Sequence, residues 1–261
     1  MIMTGIESFS MDFFSLKGKN AIVTGGNTGL GQAFSLALAK AGANVFIPSI
    51  QEGDEIVKLI EAEGAKAALM HVDLTRSGAA AKVIRACVDT FGSVDILVNS
   101  AGLCINEKDV LKFGRKQWDL MTAINFTAPF EMSYEAAKFM IPQRSGKIIN
   151  ICSLFSFLGG RWSPAYAATK HGLAGLTKAY SDELAEYNIQ VNGIAPGYYA
   201  TDITADTRRD PVANKRVLDH IPAGRWGEPL DLMGAVVFLA SRASDYINGH
   251  ILVVDGGYLV R

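Results

Sequence analysis

The amino-acid sequence predicts a single α/β domain: a doubly wound, mostly parallel sheet of seven strands with helices on both faces. Three observations carry this reading. Short apolar, β-rich runs alternate with longer helix-like stretches from end to end. Several of those runs are apolar without interruption, as in strands covered by helices on both faces. No Pro/Gly/Ser-rich linker, low-complexity block or change of composition divides the chain. A chain of this length buries roughly three quarters of the surface that it exposes when unfolded, enough for one sizeable core.

The expected strands are residues 21–23, 44–47, 66–70, 94–98, 147–151, 189–194 and 251–254. Between them lie helix-like stretches over 30–41, 54–63, 78–91, 117–140, 164–186 and 229–240. Parallel neighbours require crossover connections, and this repetition of strand and helix supplies them. Residues 1–15 are set apart as an N-terminal extension, and 16–261 form the domain. The longest break in the alternation is 198–225, rich in charge and carrying Pro211 and Pro222. In a compact domain such a segment reads either as a substrate-covering lid or as a solvated surface excursion.

Composition excludes several function classes. Apolar residues make up 49% and charged residues 20%, an ordinary globular balance. Lys and Arg number 25 against 26 Asp and Glu, so no strong field of either sign points to a nucleic acid or an acidic membrane surface. Cys87, Cys104 and Cys152 are odd in number and widely spaced, a pattern of reduced thiols and not of a disulfide frame or zinc site. The opening residues have no basic region ahead of an apolar run, and no later stretch reaches the roughly 18 apolar residues that span a bilayer. A cytoplasmic protein without membrane or metal is expected. His71, His171, His220 and His250 show no metal-ligand spacing.

The first strand runs directly into Thr24-Gly25-Gly26-Asn27-Thr28-Gly29-Leu30-Gly31, which opens a helix. Glycines at 25, 29 and 31 let the backbone turn tightly and approach a pyrophosphate. The helix N-terminus then offers free N–H groups and partial positive charge. Strand before and helix after favour a dinucleotide site over a plain turn. This Gly-x-x-x-Gly-x-Gly spacing resembles the short-chain dehydrogenase/reductase family, over nearly the whole chain from about Leu16, which implies a single-domain Rossmann fold. By that resemblance Asp73, with Leu74 beside it, contacts the adenine. Asn99-Ser100-Ala101-Gly102 is similar to the family's Asn-Asn-Ala-Gly, with Ser100 departing from it, and lies beside the cofactor. Pro196, Gly197, Tyr199 and Thr201 are implied at the nicotinamide end. At the close of the second strand, Ser49 stands where an acidic residue would bind the adenosine ribose and an Arg or Lys a 2′-phosphate. A phosphate dianion without a cationic partner binds less well, so the expected cofactor is NAD, with NADP the alternative.

Tyr166 and Lys170 are four apart in the stretch 164–186, on one helix face. Ser153 directly follows the apolar run 147–151, at a strand C-terminal end where ligands bind in open α/β sheets. With Asn125 these residues match the family's Asn-Ser-Tyr-Lys tetrad. A ketone receiving hydride needs a proton, the reverse oxidation needs a base, and a free tyrosine titrates near about 10. The ammonium of Lys170 is expected to favour the phenolate. The resemblance further implies that Lys170 binds the nicotinamide ribose, Ser153 orients the substrate oxygen and Asn125 holds a relay water.

The stretch from Ser153 to Arg161 and the stretch from Asp219 to Gly227, continued by segments up to His250, narrow the resemblance to family members acting on small sugar acids. A carboxylate calls for Arg or comparable donors. Arg161 is the first candidate, with Arg225 and His220 behind it. Other enzymes of the family remain alternatives, as does a dinucleotide-binding sensor or scaffold, although all four tetrad residues are present. The resemblance also implies a homotetramer, packed through helices carrying Phe126, Phe130, Met132, Leu173, Leu176 and Tyr180.

Overall fold

Seven parallel strands stand in the order β3-β2-β1-β4-β5-β6-β7 in a computed structural model that describes residues 6–261. They are β1 (Asn20–Val23), β2 (Asn44–Ser49), β3 (Ala67–His71), β4 (Ile96–Asn99), β5 (Gly146–Ile151), β6 (Ile189–Pro196) and β7 (Ile251–Val254). The expectation of a mostly parallel sheet is exceeded, since every neighbouring pair is parallel. Helices α1 (Gly29–Lys40), α2 (Glu55–Ala62), α3 (Ala79–Phe91), α4 (Arg115–Thr122), α5 (Ala128–Gln143), α6 (Pro164–Leu184), α7 (Ala205–Arg209), α8 (Pro211–His220) and α9 (Leu230–Ala240) complete the domain. Strand order reverses between β1 and β4, which opens a crevice at their carboxyl ends.

Alternation along the strands divides the core in two. In β1 and β4, Ala21, Val23, Ile96 and Val98 face Phe34, Leu38, Leu232 and Val236 of α1 and α9. Ile22 and Leu97 point the other way, onto Val83, Ile84, Met132 and Met140 of α3 and α5. Leu16 is buried at the start of the domain. Before it, Phe14 meets the Phe238 ring of α9 at 6.5 Å, and Arg242 lies over Phe13 at 4.8 Å.

Two expected elements differ. The stretch 117–140 is not one regular helix: between α4 and α5 the backbone widens into a π-turn over Ala123–Thr127. The segment 198–225 is largely helical. Asp210 caps α8 by accepting from the N–H groups of Val212 and Ala213, with Pro211 at the first helical position. Two residues expected at a subunit contact are enclosed in this chain's own core, Met132 and Leu173 at 1% exposure each. Phe130 does remain exposed, stacked between Tyr134 and Tyr180 at 6.3 Å from each.

Candidate active site

The loop between β1 and α1 is shaped by what its glycines leave out. A Cβ on Gly31 would stand 2.3 Å from the Gly25 carbonyl oxygen, and Gly25 itself, at φ +64°, lies against Ala101. Gly29 also takes a positive φ, +52°. Thr28 precedes α1 without a side-chain cap, so the first N–H groups of the helix face the crevice free of an intramolecular side-chain acceptor. Asn27 donates through Nδ2 to the Gln51 carbonyl at 2.9 Å, while its buried Oδ1 has no partner. Leu30 packs partly on the core below. A diphosphate fits this cradle of close backbone and free helix N–H groups.

Thr24 ties the loop to the end of β4: its Oγ1 accepts from the N–H groups of Ser100 and Ala101, both at 2.9 Å. Asn99 reaches the opposite way, donating to Ser133 at 3.1 Å and to Asn150 at 2.8 Å, and Asn150 donates on to Thr177 at 2.9 Å. Buried hydrogen-bonded chains of this kind hold β4, β5 and α6 in fixed relation. Gly102 follows at van der Waals range of the next group, since a Cβ there would meet Asn125 Oδ1 at 3.0 Å and Lys170 Nζ at 3.9 Å.

Asn125 sits in the π-turn and is fully buried. Its Oδ1 accepts from Leu103 N–H at 2.9 Å and its Nδ2 donates to the Leu103 carbonyl at 2.8 Å, clamping the loop after β4. The widened turn reaims this side chain, a common use of π-bulges. Ser153 lies two residues beyond β5, where its Oγ accepts from Phe155 N–H at 3.2 Å and caps the turn that follows. Ser156 then fastens this turn to α6 by donating to the Lys170 carbonyl at 2.7 Å. Tyr166, half-buried, packs edge-on against Phe155 at 5.8 Å. One turn along α6, Lys170 donates from Nζ to the Ile151 carbonyl at 2.6 Å, with its ammonium 5.6 Å from the Tyr166 ring centre.

The electrostatics correct one expectation. Burial pushes the Tyr166 phenol above its ordinary value and the neighbouring Cys104 thiol adds to this, while a hydrogen bond with Ser153 pulls it back. Lys170 is not the group that sets this acidity. Burial draws its own ammonium down to about 8, against smaller opposing effects of Cys152 and Cys104. Burial therefore acts first on both groups, favouring the neutral phenol and the neutral amine. At neutral pH the phenol is protonated, ready to donate to a developing alkoxide.

Residues 25–259 match the family described as enoyl-(acyl carrier protein) reductase. The chain is 68% identical over the whole of both sequences to an uncharacterized oxidoreductase, YgcW, of Escherichia coli K12. It is 47% identical, over 95% of its length and 98% of the other, to 2-dehydro-3-deoxy-D-gluconate 5-dehydrogenase of the same organism. A solved structure from Agrobacterium tumefaciens, provisionally named a 2-deoxy-D-gluconate 3-dehydrogenase and holding NADP, superposes with a TM-score of 0.89 at 44% identity, covering 95% of this chain and 99% of that one. The chain belongs to the short-chain dehydrogenase/reductase family.

Within that short-chain dehydrogenase frame, the structure gathers Asn125, Ser153, Tyr166 and Lys170 beside the loop 25–31 at the carboxyl end of the sheet. Ser49 is buried at the end of β2 and accepts from Gln51 N–H at 3.1 Å. The Asp73 carboxylate accepts from Thr75 and Arg76, and these bonds hold it below the usual carboxylate range, that of the Thr75 side chain most strongly. Pro196 ends β6, and Gly197 follows with the backbone of Asp255 so close that a Cβ would meet its Cα at 2.7 Å. The Thr201 carbonyl accepts from Arg208 at 3.0 Å. Two residues expected at the cofactor turn their side chains into the core. Tyr199 is buried and donates to the Val254 carbonyl at 3.0 Å, and Leu74 is enclosed in the core beneath β1. Arg225 is forked onto Asp231 at 2.7 and 2.8 Å, which removes it from the carboxylate role, and His220 lies 4.2 Å from the Tyr258 ring. Ser156 was missed from sequence, though its three-residue spacing from Ser153 marks a cap.

Proposed function

We propose that this short-chain dehydrogenase is an NAD(H)-dependent enzyme interconverting 3-deoxy-D-glycero-2,5-hexodiulosonate and 2-dehydro-3-deoxy-D-gluconate, in the breakdown of uronic-acid polysaccharides such as pectin or glycosaminoglycans. The observation that carries it is the meeting of Ser153, Tyr166 and Lys170 at the carboxyl end of β5, beside a diphosphate cradle. The relative at 47% identity carries this activity in its name.

The nicotinamide, when bound, supplies or takes the hydride. Everything else falls to the chain. Residues 25, 27–31, 99, 101, 102, 196, 197 and 201 would hold the dinucleotide, Asp73 its adenine end. Ser153 Oγ orients the substrate oxygen, and Tyr166 donates its phenolic proton to that oxygen as it becomes an alkoxide. Lys170 meets the nicotinamide ribose, and Asn125 keeps the loop after β4 against the site. The segment 198–225 closes over the substrate, and Arg161 meets its carboxylate. The work is done in the cytoplasm by a homotetramer contacting through the exposed part of the α4–α6 face, which includes Phe130.

A direct test is oxidation and reduction followed at 340 nm, with 2-dehydro-3-deoxy-D-gluconate, its diulosonate and 5-keto-D-gluconate, using both nucleotides side by side. The diulosonate is expected to be reduced with the highest kcat/KM. A preference for 5-keto-D-gluconate would move the assignment to a gluconate dehydrogenase. No turnover, with nucleotide still bound, would make the protein a sensor.

Residues 49–54 contain no Lys or Arg but include Glu52 and Asp54, and Arg76 beyond β3 is engaged by Asp73. NADH is therefore expected to outperform NADPH in kcat/KM, about tenfold if one charge-assisted contact is missing. Equal or better use of NADPH would reverse the preference. Gly31→Ala is expected to weaken NADH binding at least tenfold by nucleotide fluorescence, because its Cβ has no room beside the Gly25 carbonyl. Unchanged affinity would remove this loop from the phosphate role.

A further inference from the structure

Three cationic side chains converge on one indole. The Lys108 ammonium lies 5.8 Å from the Trp162 ring centre, the Arg161 guanidinium 5.0 Å and the Arg216 guanidinium 5.8 Å. They come from three separate walls: the loop after β4, the turn between β5 and α6, and helix α8 of the 198–225 segment. Among the described residues none of the three has an acidic partner. Their neighbours do: Lys215 is taken by Asp219 and Lys112 by Asp109.

Like charges gathered around one ring repel, and the face of an indole offsets only part of that cost. The chain nevertheless fixes the platform firmly. Trp162 takes a φ of +71°, a conformation bulky residues rarely adopt. Its carbonyl accepts from Glu107 N–H at 2.8 Å, and Ser163 next to it donates to the Ile105 carbonyl at 2.7 Å. Tyr166 follows in the first turn of α6, so the platform adjoins the reacting end of the site. Tyr198 bridges the two: Trp226 packs on its ring at 5.6 Å, and its phenol, pushed up to about 12 chiefly by burial, senses both the Arg216 guanidinium and the Cys104 thiol that also acts on Tyr166.

We infer that Lys108, Arg161 and Arg216 form one carboxylate subsite on the Trp162 indole, so that the acid end of the substrate is held by three charges from three elements and not by Arg161 alone. This rests on the reading of the protein as a sugar-acid dehydrogenase, and it assigns that reading's specificity to residues outside the hydrogen-transfer group. A carboxylate entering here would bridge the turn of the reacting end and the lid helix.

The test replaces each cation singly by alanine and compares 5-keto-D-gluconate with 2,3-butanedione, a neutral diketone, under the same NADH concentration. Each of Lys108→Ala, Arg161→Ala and Arg216→Ala is expected to lower the ratio of kcat/KM for the acid over the neutral ketone about tenfold. The loss is expected in KM, and added salt should raise the acid's KM less in the variants than in the parent. A second readout needs no turnover: D-gluconate titrated into the nucleotide-free protein should perturb tryptophan emission, weakly after Arg216→Ala and not at all after Trp162→Phe. Equal losses on both ketones, or an effect confined to Arg161, overturns the three-cation subsite. Gluconate binding that depends on all three cations, in a protein that turns over neither ketone, would retain the subsite and sink the enzyme reading instead.

Discussion

Tyr166→Phe is expected to lower kcat by about a hundredfold to ten-thousandfold, the range that a positioned proton donor contributes. The aromatic ring keeps its edge-on contact with Phe155, so the fold and the wall of the site should survive. Only the phenolic proton and the hydrogen bond with Ser153 are removed. NADH affinity should therefore change little, because the diphosphate cradle at 25–31 does not involve this hydroxyl. The pH profile sharpens the expectation. Burial holds the phenol protonated through neutral pH, so reduction of a ketone in the parent should not fall on approaching pH 8 from below through loss of this proton. In the variant the residual rate should track proton supply from solvent and decline with rising pH. A variant turning over as fast as the parent would show that some other group delivers the proton.

How much of this was legible beforehand divides along a physical line. Strands covered on both faces advertise themselves as apolar runs, and the phosphate loop does so through glycines, which adopt φ +64° without strain and at Gly31 leave no room for a Cβ, 2.3 Å from a carbonyl. The tetrad could be aligned because helix periodicity puts Tyr166 and Lys170 on one face. Features set by tertiary context were not legible. A π-turn uses the same residue types as the helix around it, so 117–140 reads as continuous. Proximity along the chain does not reveal side-chain direction, and Tyr199 two residues after Gly197 turns into the core. The Asp210-Pro211 pair was a readable helix start that the charge of 198–225 obscured. Lys108, Arg161 and Arg216 lie on three distant segments, and only folding brings them to Trp162. The acidity of Tyr166 was misjudged for the same reason: sequence gives the neighbour, whereas burial gives the dielectric.

Lys170→Met should separate two roles of one side chain. Activity is expected to fall by at least about a hundredfold, since the residue proposed to hold the nicotinamide ribose and frame the phenol is gone. Stability should move in the opposite direction at neutral pH. Burial lowers the Lys170 ammonium to about 8 from its unfolded value of 10.5, so between those values the unfolded chain binds more protons than the folded one. Unfolding free energy from this group therefore rises with pH across that window. Below it the folded protein carries the full cost of a buried ammonium, about 3 kcal/mol for a shift of this size. The hydrogen bond to the Ile151 carbonyl offsets part of that cost and disappears in the variant. Lys147, lowered by burial, titrates in the same sense, whereas the raised thiols of Cys87, Cys104 and Cys152 and the phenol of Tyr166 oppose it above about 9. The contributions of Lys147, Cys87 and Tyr166 are common to parent and variant. The Lys170 ammonium lowers the Cys104 and Cys152 thiols, so those two rise further in the variant. They act only above about 9, which leaves the difference between the two proteins below that pH as the informative quantity. Urea unfolding of both proteins without nucleotide, at intervals from pH 7 to 10, should show the variant's advantage shrinking steadily as the parent's lysine loses its proton. A difference that stays flat across this range would mean that Lys170 titrates normally and that water reaches it, and the desolvated site described around Tyr166 would have to be abandoned.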